Sequence, residues 1–397
     1  VPDADFRLRD VALTAYGPTV VNSVGHGAVL PVLALHARDL GADVPTAALV
    51  VALLGVGSLL TALPVGALVA RIGERRALVL AGVVDAAAMT AAALTTTWLG
   101  LAAAVTVSGM AWTTFMMARQ GYMIDVVPLA HRARAMSALG GSHRIGILVG
   151  PLLGAGLIHL TDLRAAFVLS AATALAAALL ARLMPDLGSD SRARARETGH
   201  LSVRAVIVAH RRVLATVGVA VVVISASRAL RQAVFPLWAD HVGMSASTTS
   251  LVFAVAAAVD VAFFLPGGWL MDTRGRTVVA VPVVASAALA CLLLPLATAT
   301  WSVTAVMVLM AAGNGLGSGI VMTLGADTAP VEGRAQYLGA WRLCGDLGVS
   351  GGPLLVSAAA ALVPLATASV AIGVLMLAGS AWVGHWTARL EAGRLRG

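Results

Sequence analysis

Long apolar runs separated by short polar turns make up almost the whole chain. Twelve runs stand out. They lie at roughly 11–35, 46–70, 77–97, 99–124, 135–160 and 164–184, then at 212–238, 247–271, 277–298, 301–325, 336–361 and 364–388. Each is close to the ~20 apolar residues that a helix needs to cross a bilayer. The apolar residues are continuous rather than alternating, which predicts helices and not barrel strands. A backbone in lipid must satisfy its own polar groups, and a helix does so within one segment. The pattern therefore predicts an all-α integral membrane protein with twelve transmembrane helices. One long polar, Arg-rich stretch, PDLGSDSRARARETGH, interrupts the series. It divides the chain into a six-helix bundle at 1–184, a linker at 185–205 and a second six-helix bundle at 206–397.

The two halves echo each other. Asp125, Pro128, Arg132, Gly150 and Pro151 recur as Asp327, Pro330, Arg334, Gly352 and Pro353, every pair 202 positions apart. A repeat at one fixed offset implies two pseudo-symmetric copies of one structural unit. Two copies of a hydrophobic unit are the sequence signature of a secondary transporter.

Composition agrees with the pattern. The chain is 59% hydrophobic and 12% charged, with a mean hydropathy of +0.90. Its net charge is +8, and all 27 basic residues are arginine. Twenty fall in segments that lie on one side of the membrane if both termini are cytoplasmic; only Arg38 and Arg164 fall in the opposite loops. Positive charge collects on the cytoplasmic side, so this asymmetry sets the expected orientation in the inner membrane. It also accounts for the basic charge without nucleic acid. Trp98 and Trp301 sit at matching outer turns, where interfacial aromatics belong. Cys291 and Cys344 lie inside runs, so no disulfide framework is expected. The first run is too long for a signal-peptide core, so no cleaved signal is expected. A phosphate-binding P-loop needs a lysine, which this chain lacks, and no segment is long enough for a catalytic domain. An ATP-driven pump or membrane enzyme is therefore disfavoured, and no cofactor or metal is expected.

The remaining five arginines, Arg119, Arg144, Arg228, Arg231 and Arg342, fall inside runs, as do Asp85, Asp260 and Asp346. A charge at the helix centre costs ~2.5–3.5 kcal/mol on insertion scales, so each needs a partner or a water-filled cavity. Arg342 and Asp346 are i, i+4 and can pair within one helix. Arg228 and Arg231 lie one turn apart on a shared face. The excess of arginine over aspartate slightly favours neutral or anionic solutes.

Two loops and one span carry a resemblance. The loop after run 2 reads GALVARIGERRAL and the loop after run 8 reads GWLMDTRGRTVV, with Gly66 and Gly73 matching Gly268 and Gly275 at the same offset. Glycine permits a tight turn there, and the arginines hold the loop at the membrane surface. Run 5 reads GILVGPLLGAG. Gly146, Gly150 and Gly154 recur every four residues on one helical face, and Pro151 removes a backbone hydrogen bond. These loops, and the span-5 pattern, resemble the major facilitator superfamily across the whole chain. The first loop departs from the family by having Ala70 where the family has an acid.

The resemblance implies that spans 1, 4, 7 and 10 line a central cavity. The candidate substrate contacts are then Asn22 and His26, Met110, Trp112, Thr113 and Met116, Arg228, Arg231 and Gln232, and Asn314. His26 and Arg228 are themselves 202 apart. By the same analogy Asp272 and Arg276 belong to a loop that locks the cytoplasmic side, and Asp125 and Asp327 contact the loop arginines. Asp260 lies ~16 Å and Arg144 ~14 Å into spans that adjoin in the family, so a state-dependent Asp260–Arg144 pair is expected. Asp346 with Arg342 is a second proton-site candidate, and Asp85 is expected to be structural. The span-5 glycines imply a tight, bendable contact between halves, a pattern commoner among the family's exporters. The deep span-4 arginine usual in its antiporters is missing; residues 106–108 there are Thr-Val-Ser. The expected activity is proton-coupled antiport that exports small amphiphilic molecules or drugs by alternating access. The alternatives are a proton-coupled importer of a small organic solute or acid, and a non-transporting receptor on the same fold. A monomer is expected.

Overall fold

The computed structural model describes residues 12–62, 64–127, 132–184, 208–330 and 334–394. Among these, every regular element is helical. Leaving aside the short turns Arg211–Val213, Leu214–Gly218 and Leu294–Leu296, in chain order they are α1 (Ala12–Val29), α2 (Leu33–Asp39), α3 (Val44–Ala62), α4 (Pro64–Ile72), α5 (Glu74–Leu94), α6 (Trp98–Val126), α7 (Arg132–Leu160) and α8 (Arg164–Arg182). After the linker, which lies outside the described residues, come α9 (Val219–His241), α10 (Ala246–Arg274), α11 (Thr277–Leu293), α12 (Thr300–Leu316), α13 (Ile320–Thr328), α14 (Arg334–Leu362) and α15 (Leu365–Arg394). Among the described residues, eleven helical stretches are long and apolar enough to cross a membrane. Tyr16–Val29 and Leu33–Asp39, bent by 44°, make a twelfth if they form one span. The twelve apolar runs thus correspond to the twelve spans. Pro31, which has no N–H and cannot continue a helix, sits in the bend.

The described residues of Val1–Gly41, Val56–Gly199 and Ala246–Ala254 form one compact unit, and those of Ala42–Gly55, His200–Ser245 and Val255–Gly397 form the other. Within unit 1, Ser247 Oγ donates to the Ala155 carbonyl at 2.9 Å. Within unit 2, Ser357 Oγ donates to the Pro45 carbonyl at 2.8 Å.

Each unit has a seam of small residues. In unit 1, α7 lies on α1. A Cβ at Gly146 would stand 2.4 Å from Ser23 Cβ, and one at Gly150 would stand 2.3 Å from the Val24 carbonyl oxygen. In unit 2, α14 lies on α9, with Gly348 against Ser225 and Gly352 against Ala226. All four contacts are related by the 202-residue offset. Gly146, Gly150 and Gly154 pack α7 against α1 of their own unit. The reason is that α1 answers with its own small residues, Ser23, Gly27 and Ala28. The helix also continues through Pro151.

The copies diverge at span 10. Span 4 is a single helix of 29 residues. Its counterpart stops at Leu316 and restarts at Ile320 as α13. Phe115, Met116 and Met117 of span 4 are replaced at the offset by Gly317, Ser318 and Gly319. Gly319 adopts φ +95°, the left-handed region that an L side chain resists. Gly73 (φ +86°) and Gly275 (φ +95°) turn the two matching loops in the same way.

Candidate functional site

Unit 1 brings a ring cluster together from three helices. His26 of α1 stacks on Trp112 of α6, with centroids 4.0 Å apart and planes 12° from parallel. His143 of α7 joins them: its ring is 5.6 Å from Trp112 and tilted by 50°. His143 Nδ1 is 2.8 Å from Ser23 Oγ, in a hydrogen bond whose direction depends on the tautomer. The close approach of α1 and α7 at Gly146 is what lets Ser23 reach His143. Asn22 and Thr113 are buried beside this cluster's helices, each 3% exposed. Met116 packs into the neighbouring apolar core with Phe115 and Tyr122, and Met110 is 37% exposed. Asp85 of α5 is buried and accepts from Ser108 Oγ of α6.

Unit 2 gathers charge. Arg231 Nη1 of α9 lies 3.6 Å from Asp260 Oδ2 of α10, and Asn314 Nδ2 of α12 donates to the same oxygen. Asn314 Oδ1 is buried with no hydrogen-bond partner among the described residues. One turn before Arg231, Arg228 sends Nη2 to the carbonyl oxygen of Gly317, in the break of span 10. A broken helix leaves carbonyls unpaired at its C-terminal end, where the helix dipole also favours a cation. Arg228 adds a second donor and the charge to this oxygen, which also accepts from the Ile320 N–H at 3.1 Å. Ser227, Arg228, Arg231, Met310 and Asn314 line a small recess at this place. Trp112 and Asn314 occupy equivalent positions at the offset, as do His26 and Arg228. The two units thus carry rings and charges, respectively, on the same scaffold positions. Gln232 is half-buried on α9.

The remaining candidates separate from these clusters. Arg342 Nε is 3.9 Å from Asp346 Oδ2, one turn apart on α14. Arg276 Nε donates to Asp327 Oδ2 at 3.0 Å, and its backbone N–H donates to Glu391 of α15. Asp272 is exposed. The matching contact of Asp125 falls outside the described residues. Arg144 belongs to unit 1 and Asp260 to unit 2.

Sequence reasoning missed His143, Ser23 and the span-10 break. The first two were visible as polar residues within apolar runs. The break was signalled by Gly-Ser-Gly where the first half has three bulky residues.

Membrane-length helices in two repeated units, with ionisable side chains paired at depth, define a membrane transporter scaffold. The description of the Major Facilitator Superfamily matches residues 19–353, and the chain belongs to that family. It is a multi-pass membrane transporter of small molecules. Among solved structures, the chain is similar to a point mutant of the nucleoside transporter NupG, with a TM-score of 0.78 at 11% identity, over 96% of this chain and 99% of that one. A POT family transporter in complex with a thioalcohol-conjugated peptide gives a TM-score of 0.78 at 12% identity, over 96% of each chain. A second NupG structure gives 0.73 at 12% identity. No curated protein matches the sequence.

Proposed function

We propose that the protein is a proton-coupled secondary transporter of small amphiphilic organic molecules. It works by alternating access as an antiporter that expels its substrate, as a monomer in the cell membrane with both termini cytoplasmic. The observation that carries the coupling is the Asp260 carboxylate, held at membrane depth by Arg231 and Asn314. Ionised, it accepts from both. Protonated, it no longer attracts Arg231 and becomes a donor. Turning the Asn314 amide over then presents Oδ1, a buried acceptor, to the new hydroxyl. Arg231 is released to seek another anion, and Arg144 takes its turn on Asp260 when the carboxylate ionises again in another state. Arg342 with Asp346 is the second candidate for the proton step, and Asp272 and Arg276 act at the cytoplasmic gate.

The substrate's flat apolar part is assigned to His26, Trp112 and His143, supported by Asn22, Met110, Thr113 and Met116. Its polar part is assigned to Arg228, Arg231, Gln232 and Asn314. Ring stacking contributes about 0.5–1.5 kcal/mol beyond area burial. Trp112→Ala is therefore expected to raise the apparent KM about tenfold, and Trp112→Phe to raise it much less. Initial transport rates at varied substrate concentration check this.

The outward direction rests on the span-5 pattern. A second reading is entry of an organic acid with protons. Two arginines in one recess favour it, and the structural neighbours are named for nucleosides and for a peptide conjugate. Proteoliposomes with an imposed pH gradient distinguish the two. Lumenal proton movement on adding an amphiphilic drug supports antiport. Movement only with organic acids supports import. Silence with both classes refutes proton coupling.

A further inference from the structure

Where α5 begins and α8 ends, unit 1 holds three arginines that neither cluster uses. Arg75 and Arg76 open α5, and Arg182 closes α8. Arg75 Nη2 donates to the Arg182 carbonyl oxygen at 2.7 Å. That oxygen ends a helix, where carbonyls lack intrahelical partners and a cation is favoured. The bond straps α5 to α8, and all three arginines line a groove of about 460 Å3. The rest of the groove is apolar, lined by Val79, Leu80 and Val83 of α5. Leu80 is 45% and Val83 46% exposed, so this wall faces outward from the helix bundle. Among the described residues, no carboxylate forms an ion pair with Arg75, Arg76 or Arg182.

Three arginines lining one groove offer an anion a favourable charge. Guanidinium matches phosphate oxygens in a two-pronged geometry that ammonium cannot copy. A free anion explains the arginines but leaves the apolar wall without a role. An occupant with a phosphate at one end and hydrocarbon at the other uses both. The groove volume falls within the ~300–1,000 Å3 typical of small-molecule sites. Basic pockets at the ends of membrane helices are settings in which anionic headgroups bind.

We propose that this groove binds an anionic phospholipid. Its phosphodiester sits on Arg76 and Arg182, with Arg75 fixed behind them, and an acyl chain runs along Val79, Leu80 and Val83. The orientation read from the arginine asymmetry puts the site in the cytoplasmic leaflet. The site lies on the outer wall of one unit, so it does not depend on the transport reading.

The test is native mass spectrometry of the full chain, purified in detergent with equal amounts of phosphatidylglycerol and phosphatidylcholine. The wild type is expected to retain phosphatidylglycerol with about thirtyfold preference, the figure for two arginines near an anionic surface. In Arg76→Gln/Arg182→Gln the preference is expected to fall to a few-fold or less, with the thermal unfolding midpoint in phosphatidylcholine unchanged. Arg182→Gln alone, at an exposed position, is expected to show an intermediate loss and serves if the double variant does not fold. Arg76→Lys keeps the charge and is expected to restore only part of the effect. Absence of preference in the wild type, or full preference in the variants, overturns the proposal. So does displacement of the lipid by millimolar inorganic phosphate, which marks a plain anion site. A proton-movement assay is separate, so failure of the antiport reading leaves this outcome legible.

Discussion

Asp260→Asn is expected to abolish transport driven by a pH gradient while leaving substrate exchange in the absence of a gradient. Asparagine keeps the shape and one carbonyl oxygen, so Asn314 retains an acceptor, but the side chain can no longer gain or lose a proton. The substrate contacts assigned to both units survive. In proteoliposomes, gradient-driven flux should fall to the protein-free level, and counterflow should stay within about twofold of wild type. Asp260→Glu is expected to recover part of the coupled flux. Loss of both fluxes would make Asp260 a structural or binding group, and retention of both would move the proton to another acid such as Asp346. Asp260→Ala should be harsher. It leaves the Arg231 side chain, 18% exposed, without its carboxylate. Removing one partner of a buried pair costs about 3–5 kcal/mol. The discriminating measurement is the unfolding midpoint, lowered strongly in the alanine variant and modestly in the asparagine one.

The second large effect is steric. An added Cβ at Gly150 meets the Val24 carbonyl oxygen at 2.3 Å and the Ala28 nitrogen at 2.8 Å, both backbone atoms of α1. Neither can move without separating two helices along their length. Overpacking of this kind costs about 1–3 kcal/mol, and Gly150→Ala is expected at or beyond the upper end. At Gly154 the nearest atom is Ala28 Cβ at 3.3 Å, so the same substitution should cost under about 1 kcal/mol. At Gly156 nothing lies within 4 Å. There the better helix propensity of alanine should stabilise by about 0.5–1 kcal/mol. Three identical substitutions on one helix thus change sign within six residues. Thermal unfolding in detergent resolves the series, and equal effects at all three positions would refute the packing described for α1 and α7.

What could be read from the sequence follows from the range of each interaction. Span number and repeat came from the length of apolar runs and a constant offset, both local or periodic signals. The loop turns at Gly73 and Gly275 were legible because a tight turn needs glycine whatever surrounds it. The Arg342–Asp346 proximity was legible because four residues along a helix fix the neighbour. Spacing also identified the glycine face of α7, but spacing says nothing of which helix will cover it. Asp260 was picked out as a buried acid, yet its observed partners, Arg231 and Asn314, are 29 and 54 residues away. His143 and Ser23 meet across 120 residues. Such pairs arise only once α1, α6 and α7, or α9, α10 and α12, have packed. The span-10 break lay between these cases: Gly-Ser-Gly was visible, but its meaning emerged beside the unbroken Phe-Met-Met of the first copy.

The break has a mechanical consequence. The short helix α13 is fastened to α14, by Trp341 Nε1 donating to the Val321 carbonyl at 2.8 Å and by Tyr337 Oη donating to Thr328 Oγ1 at 2.9 Å. The end of α12, by contrast, is pinned to α9 through Arg228 and Gly317. Span 10 is therefore two levers that meet at a pivot, each clamped to a different neighbour. A displacement of α14 drags α13 with it, while α12 holds its place and Gly319 takes up the angle. Amide hydrogen exchange should record this as two blocks with separate protection, 300–316 and 320–328, divided by a fast-exchanging amide at Gly319.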